Sequence, residues 1–193
     1  MKSMKLHLAS AFAASCLAMP ALAADTFKID DTHTSIVFFV DHLGYSNTIG
    51  RFNDFAGSFD FDPENVENSK IQFVIDASSV DTNHEPRDNH LRSPDFLNVD
   101  EFPEITFTST SVEKTGDNTG KVTGDMTMLG TTQPVTFDIT LNQMAPNPRS
   151  GVLIAGFSAR GEVDRSDFGM TFGQGGIGDT LDLFIEVEGT KEE

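Results

Sequence analysis

In Val135-Thr136-Phe137-Asp138-Ile139-Thr140-Leu141-Asn142 every second residue is apolar and every residue between is polar. That period of two fits a β-strand with one dry face and one wet face. The same rhythm returns along the chain in both directions. Ile36, Phe38, Val40 and His42 alternate with Ser35, Val37, Phe39 and Asp41. Phe55, Gly57, Phe59 and Phe61 alternate with Asp54, Ser58 and Asp60, and Ile71, Phe73, Ile75 and Ala77 with Gln72, Asp76 and Ser78. Near the C-terminus Leu181, Leu183, Ile185 and Val187 alternate with Asp182, Glu186 and Glu188. Residues 104–113 (with Phe107), 121–129 and 151–163 are β-branched, Phe- or Met-bearing segments of similar length. Gly116-Asp117-Asn118 and Gly130-Thr131-Thr132 carry the turn chemistry that closes hairpins between them.

About eight strands, mostly antiparallel, are therefore expected, without a solenoid repeat. One stretch departs from the pattern. Asp81 to Asp95 is polar and lacks alternation, and Pro86 fits the N1 position of a short helix near 84–95 that ends before Pro94. Eight strands with polar outer faces and a Phe-rich inner face leave two all-β architectures, a sandwich or a closed barrel. An eight-stranded barrel has an interior just wide enough to be filled by side chains or to hold one small ligand. With 17 Phe, one Tyr and no Trp, the inner face lacks hydrogen-bonding tips and suits an apolar ligand. The same Phe set would equally serve a solid core.

The chain has 193 residues, with 30 acidic against 13 basic side chains and a net charge of -17. Nucleic acid needs a clustered basic face, and electrostatic docking on anionic lipid needs the same. Neither is expected. At the N-terminus Lys2 and Lys5 precede an apolar run from Leu6 to Met19, and Ala21-Leu22-Ala23 follows Pro20. The run is too short to span a bilayer of roughly 30 Å, so residues 1–23 read as a secretory signal cleaved near Ala23, leaving one domain over 24–193. Cys16, the single cysteine, falls within it. A lipoprotein reading of Ala14-Ser15-Cys16 meets Ala13 where a bulky aliphatic residue belongs. The mature domain is then expected to be secreted, with no thiol and no disulfide.

The chemical motifs are few. Gly173-Gln174-Gly175-Gly176-Ile177-Gly178 matches the dinucleotide pattern, but a strand follows it where that pattern needs a helix, so it reads as a loop. His33, His42, His84 and His90 show no zincin spacing, although folding could bring one to Asp31 or Asp88 around a metal. His42 continues an apolar face and could meet a ligand's polar end at a barrel mouth. No Gly-x-Ser-x-Gly elbow and no catalytic constellation appear. Arg87, His90 and Arg92 are grouped on the helical insert and could hold a phosphate or carbonyl head group, or pair internally with Asp88 and Asp95. Arg51, Arg160 and Arg165 stand isolated among acids.

Several segments together resemble the YceI-like family of lipocalin-like polyisoprenoid-binding periplasmic proteins. They are Asp31-Thr32-His33-Thr34-Ser35-Ile36-Val37-Phe38, His42-Leu43-Gly44 with Gly50-Arg51-Phe52, and Arg87 through Leu97. Phe102 through Ser109, Leu129 through Val135, and Arg165-Ser166-Asp167-Phe168-Gly169 follow in family order. The resemblance implies an elongated antiparallel barrel around one long apolar ligand, a polyprenyl lipid or an isoprenoid quinone, with no resident cofactor, no catalytic residue and no metal.

The cavity wall would then comprise Ile36, Phe38, Val40, Phe55, Phe59, Phe73, Ile75, Phe107, Phe137, Ile139, Leu183 and Ile185. His42, His90 and Arg92 would stand near the head group. Expected partners are the isoprenoid ligand alone, with no nucleic acid and no stable membrane insertion. The oligomeric state stays open, a homodimer included. The rival expectations are a lipid- or quinone-modifying enzyme that uses His42 or His90, and a solid-cored envelope interaction domain.

Overall fold

In the computed structural model the described residues are 24–192, so the expected signal and Cys16 lie outside them. The strands are β1 (Asp25–Ile29), β2 (Ser35–His42), β3 (Ser46–Phe52), β4 (Phe55–Phe61), β5 (Lys70–Asp76) and β6 (Val80–Asp81). After the helix α1 (Glu85–Arg92) come β7 (Glu104–Lys114), β8 (Thr119–Met128), β9 (Thr131–Pro146), β10 (Leu153–Asp164) and β11 (Ile177–Lys191). Through antiparallel ladders β1, β4, β5, β7, β8, β9, β10 and β11 follow one another, and β1 returns to β11. The result is a closed eight-stranded antiparallel barrel with one short helix. Closure removes the sheet edges that an open sandwich would leave.

The remaining strands extend the wall at one end. A single edge of β11 pairs first with β2, from Ile177 to Glu186, and then with β1, from Gly189 to Lys191. Beyond β2 lie β3 and the two-residue β6. That end, where β11 begins, is the mouth; the end where β11 finishes is the base. Past β6, α1 and the segment after it complete the wall.

Three strands add to the expected eight, the two-residue β6, β1 and β3. β1 is only five residues long, too short for a periodic signal. β3 inverts the usual rule, with Thr48 and Gly50 turned inward and Ile49 half exposed outward. The helix is shorter than 84–95. His84 caps it, its Nδ1 accepting from the backbone N–H of Arg87 at 3.3 Å, and Pro86 takes the second helical position. Leu129 and Gly130, at φ 52° and 71°, make the tight turn between β8 and β9, a left-handed pair matched to the twist of a two-residue hairpin.

Apolar packing divides into two clusters. At the base, Phe27 stacks on Phe59 at 5.0 Å, and Phe157 meets the edges of Phe59 and Phe61 around the fully buried Ala155. At the mouth, Val80, Phe96, Leu97, Phe168 and Met170 pack beneath α1 and the loop after β10. Between the clusters the interior is open.

Candidate ligand-binding cavity

The inward rings lie down against the wall rather than meeting across the lumen. Phe38 pairs with Gly50 across β2 and β3, and a β-carbon on Gly50 would come within 2.1 Å of the Phe38 ring. Phe107 covers Gly124 in the same way, Phe137 covers Gly161, and Phe59 covers Gly189. In the first three cases a glycine on the neighbouring strand leaves the shelf on which the ring rests; Phe59 reaches Gly189 across β1. This is how a Phe-rich barrel stays hollow, and it decides against a solid core.

Two chambers result. The mouth chamber is about 1010 Å³, at the top of the roughly 300–1,000 Å³ usual for small-molecule sites. The base chamber is about 280 Å³. Ile36, Ile75, Met126, Phe137 and Ile185 border both, so the two meet at an apolar collar. β11, with 15 residues, spans on the order of 50 Å along its own direction at about 3.3 Å per residue, and the tilt of barrel strands makes the tube shorter than that.

Most residues expected on the wall are there. Ile36, Ile75, Phe137 and Ile185 form four-fifths of the collar. Phe38, Val40 and Leu183 line the mouth chamber, with His42 and His90 at its rim. Phe59, Phe73, Phe107 and Ile139 line the base chamber. Phe55 and Arg92 lie off the cavity wall. Phe55 is stacked on Phe73 at 5.6 Å, one layer behind it. The Arg92 Nε donates to the Ser78 carbonyl at 2.7 Å and a terminal nitrogen to that of Val80 at 2.8 Å, which fastens α1 to β6.

The polar rim is built largely from internal bonds. Arg87 donates to the Thr82 hydroxyl and carbonyl at 2.7 and 2.8 Å. The Thr82 hydroxyl in turn donates to Asp88, which is buried. His90 Nε2 lies 2.9 Å from Asp95, and its ring meets Phe96 and Phe172 edge-on at 5.0 and 5.1 Å. The two arginines of the insert are thus engaged with backbone carbonyls, where internal pairing with Asp88 and Asp95 was one expectation. Among the described residues one buried side-chain polar atom is unpartnered, the Ser69 hydroxyl on the base-chamber wall.

Arg165 is the residue that sequence reasoning missed. It read as an isolated cation, yet it is 1 % exposed. Its Nε donates to the Gly178 carbonyl at 2.8 Å and one terminal nitrogen to those of Met170 and Phe172 at 2.9 and 2.8 Å, so the guanidinium organises loop 170–178 around itself. The available signal was a lone Arg three residues before a glycine-rich segment, 168–178, that carries no charge.

The histidine–carboxylate cluster also differs from expectation. His33 meets Asp30 and Glu188, not Asp31 or Asp88, with ligating atoms within 4.8 Å of one another. The His33 Nδ1 is 2.8 Å from Asp30. Hydrogen bonds from Thr32 and then His33 hold the Asp30 carboxyl down at about 2, and the bond to Asp30 raises His33 above the ordinary 6.5. His33 is exposed and the two carboxylates are half-buried, and none of the three borders the mouth or base chamber.

The family model for the YceI-like domain matches residues 27–189, nearly the whole described chain. The chain belongs to the YceI-like family. A YceI protein of Escherichia coli is 45% identical over 175 residues, 90% of each chain. The YceI-like barrel of Campylobacter jejuni is 35% identical, with a TM-score of 0.71 over 79% of this chain and 90% of that one. A polyisoprenoid-binding domain from Saccharophagus degradans superimposes with a TM-score of 0.67 over 86% and 98%, at 13% identity, which shows a shared fold.

Proposed function

We propose that this protein binds one long isoprenoid lipid, a polyprenyl chain or the tail of an isoprenoid quinone, and carries or sequesters it in the periplasm. The observation that supports the reading is a pair of adjoining chambers inside one barrel, bordered in common by the apolar residues Ile36, Ile75, Met126, Phe137 and Ile185. A branched apolar chain gains by leaving water in proportion to the area it buries, about 25 cal/mol per Å². Because the Phe rings are already seated on glycines, little of the wall is ordered on binding, which lowers the entropic cost. The mouth suits a polar head, since His42, Arg51, Arg87 and His90 stand there. The family and the Saccharophagus neighbour support the ligand class.

We read the protein as a binder and not an enzyme. The side chains around the tube are those that hold a chain, and the rim groups are engaged in holding α1 and its loops. The test is organic extraction of protein purified from its native host, followed by mass spectrometry. A prenyl-tailed lipid recovered at near one per barrel is expected. An extract without lipid, together with no uptake of a prenyl-tailed fluorescent probe, would end the reading.

A further inference from the structure

One side of the mouth, built from the β2–β3 hairpin and the loop after β10, stands apart from the rest of this acidic surface, including the Asp81 and Asp95 side of the same mouth. Residues 42–53 and 168–178 contain no Asp or Glu, and their only basic side chains are His42 and Arg51. The bordering Asp41 and Asp179 are turned to internal donors, the Gly44 N–H at 2.9 Å and the Ser166 hydroxyl at 2.6 Å. These acid-free segments carry the most exposed large apolar side chains of the mouth, Tyr45 at 89 %, Leu43 at 57 %, Ile49 at 52 % and Phe172 at 44 %.

The two segments form one structure. The Leu43 N–H donates to the Gly176 carbonyl at 2.9 Å, joining the hairpin tip to the loop that Arg165 holds from within. Leu43 also sits at φ 57°, a left-handed position where Gly or Asn is cheap and Leu is strained. A bulky apolar side chain is thus held out to solvent on a fixed backbone, at a cost in strain. Its chemistry fits the interfacial zone of a bilayer, where Tyr rings and aliphatic tips sit among head groups.

We infer that this rim docks the barrel, mouth down, on a lipid bilayer of low anionic charge. The charge pattern selects that partner. A body with 30 acids to 13 bases is repelled by an anionic surface, while the acid-free hairpin tip and loop, distinct from the Asp81 and Asp95 side of the mouth, meet a zwitterionic one without desolvating a carboxylate of their own. Docking places the apolar tube against the acyl region, so a lipid can enter without crossing water. That last step rests on the proposed isoprenoid binding; the docking itself does not.

The test is flotation of the mature chain with vesicles of pure phosphatidylcholine. The variant is Leu43→Asn/Tyr45→Ser, in which Asn suits the left-handed backbone and neither residue lines the cavity. Val152→Asn, an exposed apolar residue at the base, is the control. We expect the wild type and the control to float, and the double variant to lose about tenfold or more of its bound fraction, as burial of apolar rim area governs such binding. Equilibrium uptake of a prenyl-tailed probe added from solvent should be unchanged in the double variant.

Several results would overturn the inference. They are a wild type that stays in solution, binding only to phosphatidylglycerol-rich vesicles that salt abolishes, or equal loss in the control. Conversion of a wild-type dimer to monomer by the double variant, without vesicle binding, would reassign the rim to a second copy of the chain. Flotation without probe uptake would remove the carrier reading and leave docking; uptake without flotation would do the reverse.

Discussion

The Phe38 ring rests on Gly50 of the neighbouring strand, so closely that a β-carbon there would stand 2.1 Å from the ring. The ring's other side faces the mouth chamber. Adding a methyl group at Gly50 therefore leaves Phe38 one direction in which to move, into the lumen. Gly50→Ala is predicted to cost about 1–3 kcal/mol in unfolding free energy, the usual penalty for overpacking. It should also lower uptake of a prenyl-tailed probe. Adding Phe38→Leu should recover stability beyond the sum of the single changes, since the two sites share one space. Denaturant unfolding of the four members of the cycle measures the coupling, and additive values would show that the ring and the glycine do not compete.

The collar predicts chain-length selection. Ile185 borders both chambers, so Ile185→Phe narrows the passage while leaving the mouth chamber's outer wall in place. A short prenyl probe should bind the variant about as well as the wild type, and a long one should bind much more weakly. Fluorescence titration with probes of graded length checks this. An equal loss at every length would mean that the ligand does not thread the collar.

Arg165 predicts the behaviour of the rim. Its guanidinium is buried and spends its donors on carbonyls of loop 170–178, with no carboxylate among those partners. Arg165→Leu would strand those carbonyls, at a cost of about 3 kcal/mol or more. Lys cannot replace the fork geometry that reaches several carbonyls at once. Both variants should show accelerated amide exchange confined to the loop and the adjoining hairpin tip at Leu43, with the base of the barrel protected. Uniform exchange across the chain would place Arg165 in the global core instead.

How far the sequence could be read depends on the range of the forces involved. β9 and β11 announce themselves because one face is wet and one dry, a local property. Closure depends on Phe27 pairing with Lys191, a relation between the two ends of the chain that no window of sequence contains. β3 escaped because its inward positions are Thr48 and Gly50. Their smallness makes sense only once Phe38 is known to lie over them. The wall residues were legible from alternation on the β-strands. The exceptions, Phe55 and Arg92, share the right face or segment with wall residues but stand behind the layer that meets the lumen. Arg165 was legible as an oddity and not as a clamp, because its partners are backbone carbonyls, which every residue offers alike.

The pair at the junction of β1 and β2 sets a pH dependence at both ends of the scale. Asp30 is held at about 2, well below the ordinary carboxyl value of 3.8, by the Thr32 hydroxyl and then His33. Its contribution to stability is therefore complete above the ordinary value and is lost as pH falls toward 2. His33 is raised by its bond to Asp30, so its contribution is complete below its ordinary 6.5 and fades as pH rises through the elevated value. In a proton NMR titration the His33 ring should show a midpoint above 6.5 in the wild type and move down toward the ordinary value in Asp30→Asn, where Glu188 still favours the charged ring. The same substitution should reduce the His33-linked part of the stability change on the alkaline side while leaving the mouth and its ligand uptake untouched, since the cluster borders neither chamber. A His33 midpoint indifferent to Asp30 would mean that the 2.8 Å bond is not kept in solution.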